Sequence, residues 1–291
     1  MSILARRRQA ACSEDACAIM SALPKEQQYL HIVPAANGTV AINIQKAVST
    51  ANCSYIAYSN NCGKSWTTVN NVDNKEVLVN MPAKAGKPIY LKGDVNNSNS
   101  TSVLDCVIFA STGPTFTASG NIGSISLGDN FVDQLIGYKA RKLFCNCKNI
   151  TDASTLYLPS DGKYTALFSE CTRLTQVPRV VVNSIPAYSM QEMFQNTKIT
   201  ECTIISKGTV GQYWSGFLFS GATNLTSVYL YASDYNGDWN AIANSLNSLQ
   251  TSLPGTIHLG GTFWGNRSYT GIPSNWTMKQ WQKSDIPELN D

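Results

Sequence analysis

A motif centred on a phenylalanine recurs in the second half of the chain, and this recurrence constrains the fold more than any other feature. In each copy a small residue follows the phenylalanine by three positions, and an aliphatic residue comes shortly after it. A fixed period of about 20–29 residues with apolar anchors is typical of a leucine-rich-repeat solenoid. The four phenylalanines, spaced by 24, 26 and 25 residues, are Phe144, Phe168, Phe194 and Phe219.

Each repeat predicts one turn of chain that stacks on the next, because a single turn cannot bury its own apolar face. The small positions would lie in the crowded interior, so Cys147 and Cys171 are interpreted as packing residues rather than as metal or redox sites. The small positions are Cys147, Cys171, Thr197 and Ala222, and the aliphatic positions are Ile150, Leu174, Ile199 and Leu225. The predicted strand segments are Leu156–Leu158, Val177–Val182, Ile204–Ile205 and Val228–Leu230.

The segment after the repeats has the features of a C-terminal cap, which repeat arrays require. Ala241–Leu253 shows helical periodicity, and Thr256–Phe263 is predicted to be a further strand. Gly271–Trp281 is predicted to close the array, with Trp276 covering the open core of the last turn.

The preceding part of the chain has a different rhythm, with short alternating segments about ten residues apart. Gly, Asn and Pro separate them, a pattern that favours an antiparallel β-sandwich of Ig-like type. Asn96–Ser102 is polar throughout and is predicted to be an exposed loop. The segments are YLHIV, GTVAINI, CSYIAY, KSWTTV, EVLV, PIYLKG, VLDCVIF and PTFTAS. The predicted class is therefore mainly β with α/β repeats, divided into 1–28 (anchor segment), 29–119 (sandwich) and 120–291 (repeats with cap).

Charge is concentrated at the N-terminus. The chain carries 22 Lys+Arg and 19 Asp+Glu, and Arg6, Arg7 and Arg8 account for the net charge of +3. The body is therefore neutral, which disfavours nucleic acid as its partner. These arginines interrupt the apolar residues and acidic residues follow, so a secretion signal is not favoured. No stretch approaches the ~20 apolar residues of a transmembrane helix.

Composition also limits the function classes. Charged residues make up 14% of the chain, against about 25% in an average soluble protein, and Asn, Ser, Thr and Tyr supply the polarity. Such a surface suits an extracellular or virion-exposed protein. The nine cysteines are an odd number without C-x-x-C spacing, which predicts free, mostly buried thiols rather than a disulfide framework or a zinc site.

Patterns of catalysis are lacking in the sequence. His31 and His258 both lie in apolar strand patterns. Cys62–Ser65 reads CGKS but lacks the first glycine of a phosphate loop, since position 58 is Tyr58, and the segment is predicted to be a hairpin. Carboxylates are too sparse to nominate the facing pair that a glycosidase needs. We therefore predict no catalytic residue, no metal and no cofactor.

Aromatic residues are the better indication of function, because exposed rings stack on sugars and anchor protein interfaces. Such residues are concentrated in 213–219 and 229–239, although about half of them are expected to be core. The predicted ligand-binding residues are Tyr213, Trp214, Tyr231, Tyr235 and Trp239.

Several motifs, taken in their order along the chain, resemble those of a known group of proteins. The motifs are NGTV, NNCGKSWTTV, PIYLKG, SGNIGSISLGDNF, the LF-x-x-C-x-x-L-T turns and GIPSNWTM. Across residues 29–280 the chain resembles Bacteroidetes surface proteins with BspA-like leucine-rich repeats and their counterparts in phages of those bacteria. The resemblance implies adhesion or surface display, and no catalysis. The basic N-terminus without a signal departs from the secreted form and is more similar to the anchor of a head fibre or capsid-decorating protein, as in crAss-like phages.

This resemblance implies a homotrimeric structural protein of the virion, displaying the repeats towards a host-surface glycan or protein. The N-terminal segment would dock on the capsid or another virion protein, although packing on its own domain is equally open. Its predicted anchoring residues are Ile3, Leu4, Arg6, Arg7, Arg8, Ile19, Met20 and Leu23. Three alternatives are a bacterial cell-surface adhesin, a virion protein whose repeats make only architectural contacts, and an enzyme that turns over a polysaccharide.

Overall fold

A computed structural model describes residues 16–44, 52–70, 76–96, 107–131, 140–160, 163–235, 253–265 and 272–289. These residues are mainly β, as the sequence predicts. The helices among them are short: α1 (Ala16–Ser21), α2 (Ser124–Leu127) and α3 (Thr262–Gly265). Single 3-10 turns occur at Lys25–Gln27, Gly128–Asn130, Lys283–Asp285 and Pro287–Leu289. The predicted helix at 241–253 lies outside the described residues, apart from Leu253.

The first eight strands confirm the alternating segments of the sequence. They are β1 (Leu30–Pro34), β2 (Gly38–Ile44), β3 (Asn52–Ser59), β4 (Thr67–Asn70), β5 (Val77–Ala83), β6 (Ile89–Asn96), β7 (Val107–Phe109) and β8 (Phe116–Asn121). Among themselves they pair antiparallel, in the orders β4-β3-β6-β1-β8 and β5-β2-β7. The CGKS sequence lies in the turn of the β3–β4 hairpin, which excludes a strand-to-helix phosphate loop.

The later strands run parallel. They are β9 (Ile150–Tyr157), β10 (Val180–Val182), β11 (Glu201–Val210), β12 (Ser227–Tyr235), β13 (Gly255–Gly261) and β14 (Trp276–Gln280). Strands β10 to β14 form one parallel sheet in chain order, whereas β9 pairs with β8 and extends the antiparallel sheet. Strand β8 thus runs across the predicted boundary between residues 119 and 120, and its ladder with β9 joins the two parts of the chain.

The four phenylalanines form a column, and this column is the centre of the core. Successive ring centroids lie 5.6, 6.0 and 6.0 Å apart and the planes of the stacked rings are nearly parallel. Phe109 of β7 extends the stack at 4.8 Å from Phe144. All four small positions and all four aliphatic positions of the repeat are fully buried beside the column. The predicted inward face of each repeat is therefore confirmed.

Backbone hydrogen bonds join consecutive turns. Alternate N–H groups donate to the following turn, as from Phe168 to Met193 O (3.0 Å) and from Phe194 to Leu218 O (3.0 Å). The backbone has positive φ at the second residue before each phenylalanine and at the second residue after it, which we call positions −2 and +2. Position +2 is Asn146, Glu170, Asn196 and Gly221 in the four turns, and position −2 is Lys142, Ala166, Glu192 and Phe217.

One predicted strand begins later than expected. The segment Val177–Val182 is extended only from Val180. Pro178 has no backbone N–H to donate to a ladder, and this explains the late start. At the other end of the parallel sheet, Trp276 is buried in the main core and its ring packs over Gly255.

A second, smaller apolar cluster holds the N-terminal helix, and two of the predicted anchoring residues are buried in it. Met20 and Leu23 are buried against Tyr29, Tyr90 and Phe131 of the same chain, and Ile19 is partly buried there. Met20 and Leu23 are therefore unavailable as anchors on another protein, whereas Ile19 keeps part of its surface exposed. The remaining predicted anchors, Ile3, Leu4, Arg6, Arg7 and Arg8, lie outside the described residues.

A disulfide between Cys17 and Cys62 closes this cluster, so the prediction of free thiols alone is wrong. The bond joins α1 to the β3–β4 turn, where the apolar cluster brings two sequence-distant cysteines together. Spacing in the sequence could not indicate this, because the two residues are 45 positions apart. Among the other described cysteines, Cys147, Cys171 and Cys202 are free and buried, Cys53 is buried and Cys145 is half-buried.

Candidate functional site

Three large aromatic side chains are exposed on the surface of the phenylalanine-centred turns. Tyr188 is 54% exposed, Tyr213 46% and Phe217 62%. We call these three residues the aromatic patch. Large apolar side chains grouped on a surface mark sites of interaction, whereas single ones do not. The patch is therefore the candidate binding site.

The repeat itself positions this patch. Tyr188 and Tyr213 occupy equivalent positions, six residues before Phe194 and Phe219. Because consecutive turns are in register, their rings stack with centroids 5.6 Å apart and an interplanar angle of 17°. Phe217 lies on the same turn as Tyr213.

All three of these exposed residues have left-handed backbone. Tyr188, Tyr213 and Phe217 have φ of 58°, 52° and 55°, a region that costs a non-glycine residue energy. Hydrogen bonds to neighbouring turns hold this conformation: Thr165 Oγ1 donates to Tyr188 O (2.8 Å), and Met190 N donates to Trp214 O (2.9 Å). Buried phenylalanines at the centre of each turn thus fix the exposed rings.

The structure divides the predicted ligand-binding residues. Tyr213 is exposed in the patch, as predicted. Trp214 is fully buried and packs on Phe263 at 6.2 Å, and Tyr231 is buried against Ile205, Trp281 and Ile286. Neither ring can present a face to an external ligand, so we withdraw both from the site. The side chain of Tyr235 and all of Trp239 lie outside the described residues.

Sequence reasoning missed Tyr188 and Phe217. Both residues stand at fixed offsets from the buried phenylalanines, six and two residues before them. The spacing was therefore present in the sequence. The exposure of these two residues was not, because the position of Phe217 in its turn is occupied by the buried Ala166 in an earlier turn.

The cysteine thiols beside the phenylalanine column serve as packing groups rather than as reactive groups. Burial raises the pKa of the Cys147 thiol to about 11 and raises the pKa of Cys171 well above its usual value. The thiolate is the reactive form of cysteine, so such thiols are inert at neutral pH. Among the described residues, no group of three or more His, Cys, Asp or Glu side chains could hold a metal ion.

A second polar and aromatic region lies on the outer face of the parallel sheet. Tyr229 and His258 stack there at 4.2 Å, and Trp281 meets Tyr229 edge-on at 5.3 Å. Burial and the nearby Lys279 lower the pKa of His258, while Glu201 opposes them. Ile286 of the C-terminal segment packs against Ile205, Tyr231 and Trp281 on this face, and Glu201 is exposed.

Comparison with known proteins adds no identity: no protein-family model, no curated protein and no solved structure matches the chain. In the described part of the chain, every helix is too short or too polar to cross a bilayer.

Proposed function

We propose that this chain is a non-enzymatic structural and display protein of a phage particle, with an Ig-like sandwich followed by a BspA-like leucine-rich-repeat solenoid. The aromatic patch attaches the particle to the surface of its bacterial host. The observation that supports attachment is the stacking of two exposed tyrosines from consecutive turns, with an exposed phenylalanine on one of those turns. Placement on a virion rests on the sequence resemblance, the basic N-terminus and the low content of charged residues.

The patch is suited to binding because its side chains are already held in place before a ligand binds, so that little conformational entropy is lost on binding. Tyrosine and phenylalanine bring large contact areas with few rotatable bonds. Here the backbone ladder of the turns fixes their direction as well. Rigid aromatic anchors of this kind contribute most of the energy at protein and glycan interfaces.

Binding to intact host cells tests the attachment role. We expect the full chain to bind, and the double substitution of Tyr213→Ala with Phe217→Ser to reduce binding at least tenfold. Leu78→Ser is the matched control, because Leu78 is 55% exposed but lies on β5, outside the repeats. Equal binding by all three proteins would contradict a role for the patch.

Peptide mass spectrometry of purified particles tests the virion placement. Peptides from residues 1–28 at an abundance close to that of the capsid protein would support it. If the protein occurs only in bacterial envelopes, and is cut after an N-terminal leader, the virion proposal fails.

The second candidate function is a bacterial cell-surface adhesin. The disulfide between Cys17 and Cys62 favours it, because disulfides persist mainly in oxidising compartments outside the cytosol. A virion protein meets the same conditions only after release from the host. The particle and envelope fractions of the mass-spectrometry experiment separate these two functions.

A further inference from the structure

A groove of about 380 Å³ opens at the start of the parallel sheet. Its walls come from β9, from the segment before β10 and from the first residues of β11. The volume lies within the range of about 300–1,000 Å³ that is usual for small-molecule sites. The groove shares no residue with the aromatic patch.

An interruption in strand pairing creates this groove. Strand β10 begins to pair with β11 only at Val180 and Ile204, so the first residues of β11 have no partner in β10. On the side facing β9, the segment before β10 is joined to β9 through an isolated bridge between Asp152 and Gln176. Pro178 lies between these two contacts and cannot donate a ladder hydrogen bond.

Polar groups capable of binding a hydroxylated ligand line the gap. Glu201 is exposed, and its carboxylate forms no hydrogen bond or ion pair with any described residue. Gln176 brings a side-chain amide, and Ser154 and Thr203 bring hydroxyl groups. Val177 and Pro178 supply a small apolar wall in the same groove.

The balance of charge among the lining residues disfavours anionic ligands. Arg179 lies at one end, where its Nε is 2.6 Å from Glu288 and its guanidinium lies 5.6 Å from the centre of the Trp281 ring. This partner neutralises the only cationic residue of the lining. Glu201 then leaves the groove with one net negative charge, which repels carboxylates, phosphates and sulfates.

We propose that this groove binds a single neutral sugar residue, such as the end of a glycan chain. Sugars combine a rim of hydroxyl groups with an apolar C–H face. Glu201 accepts hydrogen bonds from the hydroxyl groups, which are stronger for a charged acceptor. Gln176, Ser154 and Thr203 complete the rim, and Val177 and Pro178 contact the C–H face. The site is independent of the attachment role proposed for the aromatic patch.

Saturation-transfer NMR on the full chain tests this proposal, with free glucose, galactose, mannose, N-acetylglucosamine, fucose and rhamnose as probes. We expect transfer to at least one of them, with a Kd of about 1–10 mM. Glucuronic acid and sialic acid should show none. Glu201→Ala should weaken binding at least tenfold, and Glu201→Gln should have a smaller effect because it keeps an acceptor.

Glu26→Ala is the matched control, since Glu26 is an exposed carboxylate on a 3-10 turn away from the groove. It should leave sugar binding unchanged, as should the Tyr213→Ala and Phe217→Ser pair, which separates this proposal from cell attachment. Circular dichroism establishes that each variant is folded. No binding of any neutral probe, binding of the acidic sugars only, or full binding by folded Glu201→Ala would each overturn the proposal.

Discussion

At the scale of single residues, the backbone of the repeats carries an energetic cost that neighbouring turns offset. Positive φ recurs two residues before and two residues after each column phenylalanine. Asn or Gly fills position +2 in three of the four turns, and these residues tolerate the left-handed region best. Position −2 holds Lys142, Ala166, Glu192 and Phe217 instead, where hydrogen bonds between turns maintain the conformation.

Replacing Glu192 by glycine should therefore stabilise the protein. The left-handed conformation costs a non-glycine residue about 1–2 kcal/mol. Glycine also gives the unfolded chain more conformational freedom, which lowers the stability by about 0.4–1 kcal/mol and offsets part of this gain. We expect the free energy of unfolding in urea to rise by about 0.5–1 kcal/mol. Lys279→Gly in strand β14 is the control and should lower it. A loss in both variants would show that φ at 192 is not positive.

His31 should make the protein less stable in mild acid. It lies on β1, its Nδ1 is 3.1 Å from Tyr29 O, and its ring packs on Tyr90 at 4.9 Å. Burial lowers its pKa below 6.5, partly opposed by the hydrogen bond. The unfolded chain then binds the proton more readily than the folded chain, so stability is full above pH 6.5 and falls below it.

His31→Gln should accordingly flatten the change of Tm between pH 6.5 and 5.5, measured by thermal unfolding in matched buffers. His258→Gln serves as the comparison, because His258 is more exposed to solvent and its titration should contribute less. If both variants keep the slope of the wild-type protein, carboxylates rather than His31 cause the acid sensitivity.

At the scale of the elements, the phenylalanine column determines how the turns stack. The rings of Phe144, Phe168 and Phe194 are fully buried and stacked with nearly parallel planes. Removing a buried ring leaves a cavity that neighbouring turns, tied by hydrogen bonds, cannot close. The cost therefore depends on burial and not on the residue type alone.

Phe168→Ala should lower the free energy of unfolding by about 3–5 kcal/mol. Phe217→Ala is a control of the same chemistry: its ring is 62% exposed, so the change should stay within about 0.5 kcal/mol. Urea unfolding of the two variants beside the wild-type protein provides the measurement. Similar losses in both would contradict the assignment of inward and outward positions.

The same elements show how far sequence reasoning reaches. Periodicity predicted the buried column and the antiparallel strands, because apolar spacing follows directly from which side chains face the core. It failed at Val177–Arg179, where one missing N–H delays the strand. It also failed for Trp214, since a tryptophan in a polar context can lie on either side of a turn whose backbone direction no pattern reveals.

At the scale of the whole molecule, two apolar clusters share the antiparallel sheet. The larger one contains the column, and the smaller one packs α1 against the β3–β4 turn and Phe131. Lys92 joins this second cluster, with its Nζ 3.0 Å from Asp129 and 4.4 Å from the centre of the Trp66 ring. The N-terminal helix has only six residues, so it depends on these contacts for its stability.

The disulfide between Cys17 and Cys62 should therefore contribute substantially to stability. It closes a loop across 45 positions of sequence, and cross-links of this length typically contribute about 2–4 kcal/mol. Cys17→Ser should lower Tm, and trypsin should then cut faster after Lys25, because α1 loses its covalent tie. Dithiothreitol should lower the Tm of the wild-type protein to that of the variant and leave the variant unchanged. If the reductant leaves the wild-type Tm unaltered, the bond either is not formed in solution or does not hold α1 in place.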